Sequence, residues 1–243
     1  MEDIVVLISA GQEWHGVLEI YTNVHTSSST YGDWFQTEIL VAGRPKSILF
    51  LHGGWGKIAA AASTQYAIDR WHPELLVNLG TCGGFEGEVA REAVILAERT
   101  LVYDIFEQMG DAAEGVAHYA TDLDLTWLKR AETPHPVVRT LLVSGDRDLM
   151  AEDIEGLRSR YGAVAGDWES GAIAYVAARN NVPVIILRGV SDLVGLTGGE
   201  AYGNKALFNL AARRIMRHLL ATLPDWLTLY EQGKREKMPE EES

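Results

Sequence analysis

Cysteine is nearly absent from this chain of 243 residues. Cys82 is its only cysteine, which excludes an intrachain disulfide and a cysteine-rich metal site. Asp104, Glu107 and His118 are the other candidates for metal ligands, but their irregular spacing matches no established ligand pattern. The sequence therefore predicts no bound metal, and we expect no other cofactor.

Basic segments and long apolar runs are also lacking. Lys and Arg number 21 against 34 Asp and Glu, a formal net charge of −13, which argues against nonspecific binding to nucleic acid or to an anionic membrane. It also disfavours a polyanionic substrate. No apolar run reaches membrane-spanning length, and Met1 is followed by Glu2 and Asp3 rather than by the basic start of a signal peptide. We expect a soluble cytoplasmic protein.

The chain also lacks internal repeats and linkers rich in Pro, Gly or Ser. We therefore predict a single domain over residues 1–231. Residues 232–243 are charged and end in acidic residues, so a disordered tail is expected there.

What the sequence does contain is an alternation of short apolar runs and amphipathic stretches. The predicted strands are nearly continuous in Val, Ile and Leu, as in central strands covered on both faces; they span 4–9, 47–51, 75–79, 93–97, 138–143 and 182–190. The predicted helices span 57–71, 169–180 and 203–222. This alternation indicates an α/β fold with a mostly parallel sheet.

Glycine-rich turns follow several predicted strands, at the sheet edge where open α/β folds bind ligands. Gly54-x-Gly56-x-x-Ala59 matches the dinucleotide fingerprint formally, but the next strand ends in Asn78-Leu79-Gly80 and lacks the acid that would hold a ribose. A dinucleotide-dependent oxidoreductase is therefore disfavoured. Tight turning and close packing explain some of these glycines, but not the polar and acidic residues at the same edge.

Two of those acidic residues are predicted to differ in protonation. Glu169 opens a helix for which Asp167 is a plausible N-cap, and the helix dipole would favour an ionised Glu169 able to bind vicinal hydroxyls. Asp192 follows a very apolar strand, where burial would raise its pKa and suit it to general acid catalysis. By pattern alone, a structural role for both, as helix-dipole partner and loop cap, is at least as well supported.

Three segments carry a resemblance to a known family: 53–85 (GGWGKIAAAASTQYAIDRWHPELLVNLGTCGGF), 143–149 (VSGDRDL) and 167–193 (DWESGAIAYVAARNNVPVIILRGVSDL). The chain resembles the nucleoside phosphorylase and nucleosidase superfamily, especially the methylthioadenosine/S-adenosylhomocysteine nucleosidases. The resemblance implies a three-layer α/β/α fold around a central mixed, partly barrel-like sheet. It also implies a homodimer or a multiple of one.

The resemblance also assigns roles to individual residues. Asp192 would protonate the leaving purine at N7, and Ser191 would orient it. Glu169 would bind the ribose hydroxyls, with Trp168 and Thr81 beside the sugar. The remaining expected contacts are Cys82, Gly83, Leu149 and Asp167 at the base, and Gly11 and Trp55 on the 5′ side. Cleavage would pass through an oxocarbenium-like state, which a carboxylate near the ribose stabilises.

The nucleophile is less well defined. Asn78 and the segment after the first strand stand where related phosphorylases carry phosphate-binding arginines, so water is favoured. Phosphorolysis remains the alternative, because Arg44 of a neighbouring subunit could supply the charge. Nucleosidases activate water with a glutamate that aligns with Trp14, and Glu13 is predicted to take this role.

Two further departures concern the pocket. Asp148 stands where an aromatic ring often stacks on adenine, and Trp55 replaces a small aliphatic residue, so specificity for adenine and for a 5′-thio group is left open. A nucleoside-binding protein without catalysis is a second class of function, motivated by Trp14. The expected partner is a small-molecule nucleoside, not a nucleic acid or a membrane.

Overall fold

The computed structural model describes residues 4–128 and 132–237. Its strands are β1 (Ile4–Ile8), β2 (Ser27–Ser28), β3 (Asp33–Val41), β4 (Arg44–His52), β5 (Leu75–Phe85), β6 (Val94–Val102), β7 (Thr121–Asp122), β8 (Val138–Ser144), β9 (Ala165–Asp167), β10 (Val184–Gly195) and β11 (Gly198–Gly199). Its α-helices are α1 (Gly11–Ile20), α2 (Lys57–Trp71), α3 (Ala112–His118), α4 (Ala151–Tyr161), α5 (Ser170–Arg179) and α6 (Lys205–Lys237).

The strands form one mixed sheet, part of which closes on itself. β4, β1, β5 and β10 lie side by side and parallel, and β3 adds an antiparallel edge. Beyond them, β5 pairs with β9, β9 with β8, β8 with β6, and β6 with β10, which pairs back to β5. This ring confirms the predicted mixed, partly barrel-like sheet.

Helices cover both faces of the sheet, which explains the continuous apolar strands. In β1, Ile4, Val6 and Ile8 pack in the same core cluster as α1 and α6. Val5 and Leu7 of the same strand pack in a second cluster, with α2 and α5. Because successive side chains of a strand point to opposite faces, both sets must be apolar. The three-layer α/β/α prediction is therefore confirmed.

Two central strands run further than the sequence predicts. β5 continues to Phe85 rather than ending at 79, and β10 continues to Gly195 rather than ending at 190. The two strands remain paired into this extension, where Asp192 lies opposite Gly83. The candidate residues 80–85 and 191–192 therefore lie on strands of the closed ring instead of in turns after it, because tertiary pairing holds these glycine-rich segments extended.

The C-terminal helix also extends beyond its prediction. α6 passes through Pro224 and ends at Lys237, so the expected disordered tail is wrong for residues 232–237, whereas 238–243 lie outside the described residues. Lys234 forms an ion pair with Glu74, and Gly233 lies against the backbone of Trp127. These tertiary contacts support the end of the helix. Within the described residues, no helix is long and apolar enough to cross a membrane.

Candidate active site

A cavity of about 520 Å³ opens at the carboxyl ends of β1, β5 and β10, a volume typical of small-molecule sites. The predicted site residues that line it are Glu13, Trp55, Thr81, Cys82, Gly83, Leu149, Asp167, Trp168, Glu169, Ser191 and Asp192. Gly11 is the exception: it does not line the cavity, whereas its neighbour Ala10 does. The fold thus gathers residues from six separate parts of the chain into one cavity.

Glu13 lies at the inner end of this cavity, in the first turn of α1. Its buried carboxylate accepts hydrogen bonds from the backbone N–H of Ala10 (3.1 Å) and from the backbone N–H and hydroxyl of Thr81 (2.6 and 2.9 Å). Trp14 instead points into the apolar core, where its ring stacks on His52 at 5.6 Å between centroids. The two neighbours therefore face opposite sides, and Glu13 is the one that reaches the cavity.

Arg188 is the buried cation around which the acidic residues gather. Its side chain is 1% exposed and lies 3.0 Å from Asp167, 3.6 Å from Glu169 and 3.8 Å from Glu13. Burial acts to lower the pKa of Arg188, but these three carboxylates outweigh it and the pKa is raised. Arg188 therefore stays charged and links the three carboxylates.

Neutral groups fix the direction of the Arg188 guanidinium. It donates to the Asn78 side chain (2.7 Å), the Ser170 hydroxyl (3.1 Å) and the Thr81 carbonyl (3.3 Å). The Asn78 amide in turn donates to the carbonyl of Leu7 (3.0 Å). Asn78 thus orients Arg188. In related phosphorylases this position is expected to carry a phosphate-binding arginine instead.

Arg188 is not among the residues predicted from the sequence, although it interrupts the apolar run VPVIILRGV. A charge inside a strand covered on both faces requires buried partners. Those partners come from three other parts of the chain, so they could not be identified from the local pattern.

Asp167 has a supporting role in the structure. Its carboxylate accepts hydrogen bonds from the Ser144 hydroxyl (2.5 Å) and from the backbone N–H and hydroxyl of Ser170, besides its ion pair with Arg188. The bonds from Ser170 hold the start of α5, but the predicted N-cap is wrong, since the N-cap of this helix is Glu169 and not Asp167. Asp167 also lines the cavity, and its contact with a base stays a prediction.

Glu169 differs from its expected protonation. It precedes α5, and its carboxyl group accepts a hydrogen bond from the backbone N–H of Gly56 (3.0 Å). Gly56 adopts a φ of +85°, which favours glycine. Burial raises the pKa of Glu169 to about 8, against the opposing effect of Arg188. The expectation of a readily ionised Glu169 is therefore wrong, because desolvation outweighs the stabilisation at the helix end.

Asp192 has the raised pKa that the sequence predicts. Burial is the main cause, and hydrogen bonds from the Ser191 side chain and the Ala201 backbone partly offset it. The Ser191 hydroxyl lies 2.7 Å from Asp192 Oδ1 and 3.2 Å from the carbonyl of Cys82. A bulge in the β5–β10 pairing falls between Val190 and Asp192, so the strand is irregular where the acid enters the cavity.

Two tryptophans border the cavity next to Glu169. The rings of Trp55 and Trp168 meet edge to face, with centroids 5.2 Å apart, and Trp55 is 64% exposed. Trp168 precedes Glu169 in the chain, and Trp55 precedes Gly56, which bonds to Glu169. The pair is thereby placed beside the carboxylate expected to bind the ribose.

Asp148, expected in the pocket in place of a stacking aromatic ring, lines the cavity. Other lining residues were not predicted as contacts: Arg147, Gly166, Ala201, Tyr202, Gly203, Lys205 and Phe208. Several belong to the connection between β11 and α6, whose sequence gives no local indication of a ligand site. Across residues 4–128 and 132–237, no group of three or more His, Cys, Asp or Glu side chains is arranged to hold a metal ion.

The cavity therefore combines two chemically distinct sets of residues. One is Asp192, a carboxyl whose pKa burial raises. The other is Glu13 and Glu169, which pair with the fixed charge of Arg188. Such a site can donate a proton from the first set and stabilise positive charge or activate a small nucleophile with the second.

Comparison with known proteins shows the family of this chain. The family model described as the phosphorylase superfamily matches residues 3–224. A 5′-methylthioadenosine/S-adenosylhomocysteine nucleosidase of Listeria monocytogenes is 32% identical over 186 residues, which cover 70% of this chain and 78% of the relative. The nucleosidase of the same name from Staphylococcus saprophyticus is 29% identical over 191 residues, covering 73% and 83%.

Solved structures share the fold at lower identity. The MTA/SAH nucleosidase of Streptococcus pneumoniae, crystallised with 8-aminoadenine, superimposes with a TM-score of 0.74 and 18% identity, covering 94% of this chain and 100% of that one. At this identity the likeness shows the fold alone.

Proposed function

The chain belongs to the phosphorylase superfamily, and we propose that it hydrolyses the N-glycosidic bond of a purine nucleoside, releasing the free base and the sugar. The nucleosidases among its relatives support this reaction. The observation that carries it is a single cavity lined by Asp192, a carboxyl whose pKa burial raises, and by Glu13 and Glu169, which pair with Arg188.

In the proposed reaction, Asp192 gives its proton to N7 of the purine as the bond to the sugar breaks. A purine leaves poorly as an anion, and protonation lowers the barrier to its departure. The Ser191 hydroxyl beside Asp192 holds the carboxyl in position. The bonding electrons go to the base, and the sugar becomes positively charged.

Glu13 activates the water that attacks the sugar. The hydrogen bonds from Thr81 and Ala10 hold its carboxylate in the cavity, and Glu169 binds the ribose hydroxyls. Burial raises the pKa of Glu169 to about 8, so its carboxyl is largely protonated at neutral pH, and Arg188 balances the negative charge of Glu13 and Asp167. Without this cation, the buried acids would repel one another.

Water is favoured over phosphate as the nucleophile because of the charged residues next to Glu13. Arg188, the buried cation there, is already paired with carboxylates. A phosphate dianion beside Arg188 would meet carboxyl groups that already hold this cation. Arg147 and Lys205 also line the cavity, and Arg147 is paired with Asp153.

Base release from methylthioadenosine, adenosylhomocysteine, inosine, guanosine and adenosine, measured with and without phosphate, tests the proposal. We expect release in phosphate-free buffer with free sugar as the second product. Strict dependence on phosphate would instead establish phosphorolysis. Binding of nucleosides without any turnover would leave a nucleoside-binding protein.

We further propose that the protein is a cytoplasmic homodimer or a multiple of one. Highly exposed apolar side chains near the start of α2 and after β6 support an interface: Ile58 is 85% and Phe106 is 82% exposed. Lys57 forms an ion pair with Asp104 and so joins these two segments. Light scattering on the purified protein tests this, and a monomeric mass would contradict it.

A further inference from the structure

Two segments of the chain bond to β10 just before and just after Asp192. Before the acid, the backbone N–H of Glu92 donates to the carbonyl of Val190 at 2.8 Å. After the acid, β11 pairs antiparallel with β10, and Val194 lies opposite Gly199. Because β5 occupies the other edge of β10 along this whole stretch, both segments lie along the same edge and meet next to Asp192.

Glu200 continues the hairpin of β10 and β11 toward the acid. Its backbone N–H donates to the carbonyl of Leu193 (3.0 Å), and its carboxylate accepts a hydrogen bond from the backbone N–H of Leu193 (3.0 Å). The register of the hairpin then brings the next residue, Ala201, opposite Asp192. Ala201 lines the cavity, and its backbone N–H donates to the carboxyl of Asp192.

Arg91 joins Glu200 to the other segment. Its guanidinium donates to both oxygens of the Glu200 carboxylate, with Nε 2.6 Å from Oε2. The same Oε2 accepts the hydrogen bond from Leu193, so one carboxylate binds both the arginine and the backbone of the residue after the acid. Arg91 directly precedes Glu92, which is bonded to Val190. The ion pair therefore ties the two segments together.

The geometry of this ion pair distinguishes it from an ordinary surface contact. Isolated exposed ion pairs contribute little to stability, whereas two parallel bonds between an arginine and a carboxylate also fix the orientation of both groups. The Arg91 side chain is 61% exposed, but that of Glu200 is only 31% exposed. The bonds from Arg91 and from the Leu193 N–H hold the pKa of Glu200 below its ordinary value. Glu200 is therefore ionised and held from two directions.

We propose, on the basis of the nucleosidase function above, that Arg91 and Glu200 are positioning residues for the general acid: their ion pair holds residues 199–201 so that the Ala201 N–H meets the carboxyl of Asp192. Neither Arg91 nor Glu200 lines the cavity, so both act through the backbone rather than on the substrate. This role goes beyond the reaction class, which requires an acid but not this support.

The pKa of Asp192 reports on this contact. Burial is the main cause of its raised value, the hydrogen bond from Ala201 lowers it, and the charge of Glu200 adds to it. The other titratable groups whose charges interact with Asp192 are Cys82, Arg91, Asp148 and Tyr202. Loss of Arg91 removes a positive charge, leaves Glu200 unpaired and releases Ala201, and each of these changes raises the pKa of Asp192.

The first experiment follows kcat/KM against pH in the wild-type protein and in Arg91→Met, with the nucleoside that is cleaved fastest. The decline at high pH should move up by about 0.5–1 unit in the variant. Below the decline, kcat/KM should fall by about three- to tenfold, because the acid is less well placed. A decline at the wild-type pH would overturn the proposal.

Arg214→Met is the matched control. Arg214 is 62% exposed and pairs at 3.3 Å with Glu92, the residue directly after Arg91. Its loss removes the same charge and an ion pair to the same segment, but it leaves Glu200 paired. We expect Arg214→Met to keep the wild-type pH profile. A shift equal to that in Arg91→Met would mean that net charge alone sets the profile, and would overturn the proposal.

A double-mutant cycle separates action through Glu200 from a direct effect of the Arg91 charge on Asp192. If Arg91 acts through Glu200, Arg91→Met should lower kcat/KM below the decline by less than about twofold once Glu200→Gln is present, because residues that act as one unit have non-additive effects. Equal effects of Arg91→Met with and without Glu200→Gln would contradict the positioning role.

Hydrogen exchange tests the same contact without turnover. The Ala201 amide should exchange about tenfold or more faster in Arg91→Met than in the wild-type protein, and at the wild-type rate in Arg214→Met, because only the first variant releases this segment. Equal exchange in Arg91→Met and wild type would overturn the positioning role and leave the nucleosidase function intact.

The failure of the reaction itself has a separate signature. If no nucleoside is cleaved by a folded protein, the proposed function fails, and the ¹³C titration of the Asp192 carboxyl, assigned with Asp192→Asn, decides the positioning role alone. A higher pKa of Asp192 in Arg91→Met than in wild type and Arg214→Met supports it, and an unchanged pKa contradicts it.

Discussion

A single oxygen of Glu13 accepts two hydrogen bonds from Thr81, one from its backbone N–H at 2.6 Å and one from its hydroxyl at 2.9 Å. Thr81 lies in the extended part of β5, 68 positions along the chain. This contact holds the glutamate at the inner end of the cavity, so that the first turn of α1 and the ring of strands form one site.

The first prediction separates Glu13 from Trp14. Glu13→Gln should lower kcat by about 10²-fold or more, because an amide cannot accept a proton from water. Trp14→Phe should keep kcat within a few-fold but lower the free energy of unfolding by about 1–3 kcal/mol, because the ring is buried in the core. Steady-state kinetics and urea unfolding measure both. If Trp14→Phe loses kcat while Glu13→Gln keeps the wild-type kcat, Glu13 is not the residue that activates water.

The second prediction concerns Asp192 and the pH dependence of the reaction. The general acid must be protonated, so kcat/KM should fall as the pH rises through the pKa of Asp192, which burial raises. The hydrogen bond from Ser191 lowers that pKa, and Ser191→Ala should therefore move the decline to higher pH.

Asp192→Asn is the control for this pH profile. It should reduce kcat by about 10²–10⁴-fold at every pH, and the decline of kcat/KM caused by the titration of Asp192 should be absent. A wild-type profile that is flat, or one that Ser191→Ala moves to lower pH, is incompatible with the role given to Asp192.

The third prediction links Glu169 to stability. Its pKa rises from the ordinary 4.5 to about 8 on folding, so the folded protein holds a proton that the unfolded chain releases between these values. The contribution of Glu169 to stability is therefore lost as the pH rises through this window, and it is fully present below it. Relative to Glu169→Gln, the wild-type protein should become less stable from pH 5 to about 8.

Urea unfolding of both proteins at several pH values measures this difference. Glu155→Gln is the control, because the Glu155 side chain is 73% exposed and its removal should leave the pH dependence unchanged. A difference between wild type and Glu169→Gln that stays constant with pH would show that Glu169 folds in its ionised form.

The fourth prediction concerns Arg188. Arg188→Met should lower the free energy of unfolding by about 3–5 kcal/mol, because it leaves buried carboxylates without their cation. Arg158→Met removes an exposed arginine that pairs with Glu88 and Glu155, and its cost should stay below about 1 kcal/mol. Equal effects of the two substitutions in urea unfolding would exclude a central role for the buried cluster.

Local pattern was sufficient for much of the fold. The continuous apolar runs of β1 and β10 and the Ala-rich helices α2 and α5 are recognisable because burial on both faces of a sheet demands apolar residues at every position. The C-terminal ends of β5 and β10 could not be recognised from the sequence, since residues 80–84 have the composition of a turn. Their extension depends on pairing between strands more than a hundred residues apart.

The candidate site divides in the same way. Asp192 and Glu169 stand out in the sequence as acids next to an apolar strand and a helix start, and the family resemblance assigned their tasks. The raised pKa of Glu169 could not be predicted from the sequence, because it depends on how deeply the fold buries that carboxyl group. Whether Glu13 or Trp14 faces the cavity likewise depends on how α1 rotates against the sheet.

The sequence by itself therefore determined the layered α/β architecture and the types of group that the site contains. The tertiary structure decided their arrangement: it placed Arg188 between Glu13, Asp167 and Glu169, turned Trp14 into the core and paired Arg91 with Glu200. The physical reason is that apolar patterning acts over a few neighbouring residues, whereas burial, ion pairing and desolvation arise only when distant segments meet.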